Sequence, residues 1–156
     1  MSNATTISAP AGVPFIEITR EFDAPVDAVY RAHVEPDLIK QWLGPRGYEM
    51  TIDRYDVTSG GGYAYTHVNG DEAYRFRGVF HTARENELII QTFEYEGFPD
   101  AVSIESMTFE ALEGGRTRLT GRSVYPTQEA RDGMVESGME SGVNDGYERL
   151  DELLAG

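Results

Sequence analysis

The apolar positions of this chain change period twice. From Phe15 to Phe22 they alternate, setting Ile16, Ile18, Arg20 and Phe22 against Phe15, Glu17, Thr19 and Glu21, which predicts a strand. Asp23-Ala24-Pro25 then has the composition of a helix start, with Pro25 suited to the first turn. Val26, Val29, Tyr30 and His33 follow at helical spacing. A second short helix opens near Pro36, carries Leu38, Ile39 and Trp42, and stops at Gly44-Pro45. After Gly47 the period returns to two.

Further strands are predicted over Tyr48–Tyr55, Tyr63–Val68, Tyr74–Arg84, Leu88–Tyr95, Val102–Leu112 and Arg116–Val124. Glycine-rich or polar breaks separate them, and Asn69-Gly70 is a two-residue hairpin signal. Short turns imply antiparallel pairing, so the expectation is one curved antiparallel sheet of about seven strands. Thr127 to Gly156 reads as one long helix. Its apolar stripe (Val135, Met139, Val143, Tyr147, Leu150, Leu154) runs beside Gly138, Gly142 and Gly146. A mid-helix glycine costs about 1 kcal/mol relative to alanine. Three on one face imply close approach to the sheet, or room for something bound between. An apolar sheet face must be covered, and this helix is the only element long enough to do it. The class is α+β, a single domain over 15–156 behind a loose, flexible N-terminal arm, 1–14.

Four stretches carry a family resemblance: Ile18-Thr19-Arg20-Glu21-Phe22-Asp23-Ala24-Pro25 running on to Tyr30; Gln41-Trp42-Leu43-Gly44-Pro45; Gly61-Gly62-Tyr63-Ala64-Tyr65 with Tyr74 to Phe80; and Gly138 to Gly142 with Tyr147-Glu148-Arg149-Leu150. With these the chain resembles the START-like (SRPBCC) superfamily of helix-grip folds, and within it the branch named for the activator of the heat-shock-protein-90 ATPase. The resemblance implies a sheet wrapped on the terminal helix, and commonly a cavity for a hydrophobic small molecule between them. It does not imply one chemistry, because the superfamily includes carriers, cyclases and resistance proteins.

Charge and composition narrow the partners. A net charge of -14 over 156 residues argues against nucleic acid, which needs a basic face, and against an anionic membrane surface. No apolar run approaches the about 18 residues that span a bilayer. Residues 1–14 lack the layout of a signal peptide, and cysteine is absent. A cytoplasmic address fits, and disulfides and thiolate metal sites are excluded. Arg75 with Arg77, and Arg116 with Arg118, share a side of their strands. They predict outer-face ion pairs across strands with acids such as Glu105.

If the alternation is read correctly, Tyr63, Tyr65, His67, Phe76, Phe80, Met107, Met134 and Met139 point inward, with Gly138 and Gly142 on the helix above and Trp42 on the rim. Tyrosines and adaptable methionines suit an apolar pocket with a few orienting hydrogen bonds; the same residues could also simply fill a core. His67 is the sharpest polar candidate, while His33 and His81 are less pointed. The histidines show no metal-ligand spacing, there is no nucleophile elbow, and Gly60-Gly61-Gly62 lacks the lysine of a phosphate loop. No metal or cofactor is called for.

The leading expectation is a binding domain for an apolar or aromatic small molecule. One alternative is a cyclase- or hydrolase-type enzyme with Tyr65, His67 or Tyr74 as proton shuttles, which needs two inward polar groups within hydrogen-bond reach. The other is a chaperone-associated module, disfavoured because the arm 1–14 is too short for the docking domain of the eukaryotic activators. An exposed edge strand leaves a homodimer open.

Overall fold

The computed structural model describes residues 3–156. Its elements are β1 (Thr6–Ser8), β2 (Phe15–Phe22), α1 (Val26–Val34), α2 (Pro36–Ile39), β3 (Glu49–Tyr55), β4 (Gly62–Asn69), β5 (Glu72–Arg84), β6 (Leu88–Tyr95), β7 (Ser103–Leu112), β8 (Arg116–Val124), α3 (Gln128–Glu136) and α4 (Met139–Ala155). All strands join one antiparallel sheet in the order β1-β2-β8-β7-β6-β5-β4-β3.

The sheet has eight strands rather than seven because part of the arm is ordered into it. Ile7 pairs with Ile18 at the edge, the Pro14 carbonyl accepts from Tyr125 N–H at 2.8 Å, and the Pro10 carbonyl accepts from Arg131 at 2.8 Å. Residues 1–2 of that arm lie outside the described residues. The Asn69-Gly70 hairpin is shifted by one: Asn69 pairs with Glu72, so Gly70 and Asp71 form the loop. Gly70 takes φ 59, as the first position of such a turn requires.

The terminal helix is two helices. Gly138 adopts φ 85, a conformation that breaks the helix and that an L side chain resists. Thr127 caps α3 by accepting from Ala130 N–H at 3.0 Å. The glycine row therefore divides by role. A side chain at Gly138 would meet nothing, one at Gly142 would only touch Pro45 at 3.9 Å, and one at Gly146 would lie 3.2 Å from the Trp42 carbonyl oxygen. Gly146 thus allows α4 to press on the Trp42–Gly44 bend, not on the sheet.

One end of the sheet's inner face is filled. Phe22, Phe109 and Leu119 meet Val29 and Tyr30 of α1 and Leu150 of α4, all buried. Arg20, inward on β2 and 2% exposed, makes a bidentate pair with Asp151 of α4 at 2.7 and 2.6 Å. Its guanidinium also sits 4.8 Å from the Phe22 ring centroid. The outer face carries the arginine pairs: Arg75 with Asp53 and Glu96, Arg77 with Glu94, Arg116 with Glu21 and Asp23, Arg118 with Glu21 and Glu110. Glu105 is not among these partners. It faces the opposite way, two residues before the inward Met107.

Candidate functional site

The other end of the inner face is hollow. Between the sheet, the Trp42–Pro45 bend, α3 and the start of α4 lies a cavity of about 1470 Å³, above the roughly 300–1,000 Å³ common for small-molecule pockets. Phe98, Glu136 and Ser137 line it and are exposed, so it opens to solvent between the β6–β7 turn and α3.

Strand alternation sets the walls. On β4 it turns Tyr63, Tyr65 and His67 inward, and on β5 Phe76. The Tyr63 and Tyr65 rings stack at 5.7 Å, and Tyr65 and Phe76 lie 5.5 Å apart. Met107 contributes from β7, Met134 from α3, and Gly138, Met139 and Gly142 from the helix joint above. All the inward candidates line the space except Phe80. That side chain points inward in register with Phe76, but it is 2% exposed and belongs to the packed core, where it packs against Tyr55 and Tyr63. Trp42 is not on a rim but deep, 2% exposed. Its indole N–H donates to the Ala32 carbonyl at 2.9 Å, and its ring lies 4.9 Å from His33 and 6.1 Å from Tyr147.

Both inward histidines are neutral. His33 Nδ1 lies 2.7 Å from the Val29 carbonyl oxygen, and burial pushes its pKa down to about 4. His67 is also lowered to about 4, by burial and then by the Arg149 charge. Its Nδ1 is buried without a partner. The ring fills the space that a side chain at Gly44 would need, 2.6 Å from that position. Burial likewise raises the Tyr65 and Tyr63 hydroxyls, Tyr63 donating to the Thr92 carbonyl at 2.6 Å. Tyr147, also buried, is pushed up to about 12. Tyr65, His67 and Tyr74 all line the space but make no hydrogen bond with one another; the Tyr74 hydroxyl donates instead to Glu72 at 3.3 Å.

The polar centre lies on three strands that the alternation alone did not single out. Gln91, Glu105 and Ser123 sit directly opposite one another across β6, β7 and β8. Gln91 Nε2 donates to Glu105 Oε1 at 3.1 Å, and Ser123 Oγ donates to Oε2 at 2.9 Å. Burial raises the Glu105 carboxyl above its usual range, against the lowering effect of those two bonds. The signal was present: Glu105 and Met107 share parity on one strand. Two inward polar groups within hydrogen-bond reach therefore occur here, at residues other than the tyrosine and histidine candidates. Among the described residues no group of three or more histidine or acidic side chains is placed to hold a metal, and no helix is long and apolar enough to cross a membrane.

An antiparallel sheet wrapped on a C-terminal helix, with two short helices after an early strand, is the helix-grip fold. Within it the chain belongs to the family described as Activator of Hsp90 ATPase homolog 1-like protein, whose model matches residues 23–155. A Rhodobacter sphaeroides protein of known structure is 25% identical with TM-score 0.89, over 97% of this chain and 99% of its own. A Mycobacterium smegmatis protein is 25% identical with TM-score 0.86, over 97% of both chains. An Arthrobacter aurescens protein is 27% identical with TM-score 0.87, over 96% of this chain and 91% of its own. No curated protein matches the chain.

Proposed function

We propose that this protein binds an apolar or aromatic small molecule between its sheet and its C-terminal helices. The observation that carries this reading is the hollow itself: about 1470 Å³ walled mainly by aliphatic, methionine and tyrosine side chains. A space of that size and lining gains free energy when an apolar body displaces its water. Neither a cofactor nor a nucleophile is needed for that role. Native mass spectrometry of protein purified from its own host, followed by a thermal-shift screen of apolar and aromatic compounds, tests it. A mass adduct, or stabilisation by several degrees from one chemical class, is expected. Absence of both overturns the reading.

A further inference from the structure

Glu105 is the one charged lining residue on the sheet wall of the cavity. The other charged lining residues, Glu129, Asp132 and Glu136, are also acidic and sit on α3 towards the opening. Among the described residues no lysine or arginine lines the space, and both lining histidines are neutral. The three arginines whose charges reach the lining are committed elsewhere. Arg20 is paired with Asp151, Arg131 with Asp132 and the Pro10 carbonyl, and Arg149 with the Gln41 and Gly44 carbonyls.

The Glu105 carboxyl is held by one neutral donor on each oxygen, Gln91 and Ser123. Those bonds fix its orientation and leave acceptor capacity on both oxygens. The Tyr63, Tyr65, Tyr125 and Tyr147 rings line the same cavity. Aromatic faces attract cations, and an uncompensated carboxylate in an apolar site attracts them more strongly. Nothing in the lining would compensate an anionic headgroup.

We propose that the ligand of this cavity is an organic cation, an apolar body bearing a protonated amine, with Glu105 as its anchor. This rests on the small-molecule binding reading above and names the chemical class of the ligand. A carboxylate-bearing ligand such as a fatty acid is disfavoured by the same charges.

Competition against the uncharged fluorophore phenylnaphthylamine, near neutral pH, tests it with three probes that differ only in the headgroup: dodecylamine, dodecanol and dodecanoate. The amine is expected to bind about tenfold tighter than the alcohol, and dodecanoate more weakly than either. In Glu105→Gln the amine's advantage is lost while the alcohol binds as before. In Ser123→Ala, which keeps the charge, the advantage persists. Equal binding of amine and alcohol to the natural protein overturns the proposal, and so does an amine preference that survives Glu105→Gln. If Glu105→Gln fails to fold, the headgroup series on the natural protein together with Ser123→Ala decides. If neither the fluorophore nor any probe binds, the small-molecule reading falls and this one with it; if they bind without regard to charge, this one falls alone.

Discussion

The two ends of the sheet's inner face differ in what covers them and in what they are made of. On β7 the inward residues run from Ser103, Glu105 and Met107 at the hollow end to Phe109 at the filled end. On β8 they run from Ser123 and Gly121 to Leu119 and Thr117. Helix α1 and the far half of α4 cover the filled end with the buried side chains of Val29, Tyr30 and Leu150. Over the hollow end lie α3 and the first turns of α4, where glycine replaces side chains. Packed core and open cavity are therefore separated along the same strands. Burial near Phe22 and Leu150 holds the fold, which lets the other end remain open.

Truncation at each end should expose that division most sharply. Leu150→Ala, at a fully buried position, is expected to cost about 2–5 kcal/mol in urea unfolding. Met134→Ala, at a half-buried position on the cavity wall, should cost less than about 1 kcal/mol.

Acid should weaken the molecule through its neutral histidines. His33, fully buried and lowered from 6.5 to about 4, binds its proton more readily in the unfolded chain. Its contribution is whole above pH 6.5 and is lost as pH falls towards 4, on the order of 3 kcal/mol. His67 adds in the same direction. Urea midpoints measured from neutral pH downwards check the slope, and the His33 and His67 ring resonances should stay at their neutral positions well below pH 6.5.

Glu105 works the other way. Its raised pKa means that its charge burdens the folded state at neutral pH, a burden relieved as pH falls towards its unfolded value of 4.5. Glu105→Gln should therefore unfold at higher urea than the natural protein near neutral pH, and the difference should close on acidification.

The smallest contrast lies within the glycine row. Gly142→Ala, with open space around it, should stabilise by about 0.5–1 kcal/mol. Gly138→Ala, at φ 85, should destabilise by about 1 kcal/mol. Thermal melts of the two variants should move in opposite directions.

Much of this was legible in the chain itself. Strand alternation placed Tyr63, Tyr65, His67, Phe76 and Met107 on the wall, and Asp23-Ala24-Pro25 marked the start of α1; the second helix ends at Ile39, before Trp42 and the expected stop at Gly44-Pro45. The errors have physical causes. Four-residue glycine spacing fits a helix face, but one glycine in a left-handed conformation ends the helix, and composition does not distinguish the two. Phe80 shares the inward parity of Phe76 but lies four residues further along β5, where Tyr55 and Tyr63 cover it. Glu105 was assigned outward on its charge, although its parity with Met107 places it inward. Beside a cavity a charge can follow the pleat rather than the usual rule for buried ions.

Trp42 gives the boundary between the two ends an optical voice. It is the chain's only tryptophan, buried at 2% exposure and touching the cavity, His33 and Tyr147. Excited beyond the absorption of its nine tyrosines, the unlabelled protein thus emits from one indole at one address. Occupation of the hollow and protonation of His33 should both perturb that glow, and unfolding should redden it.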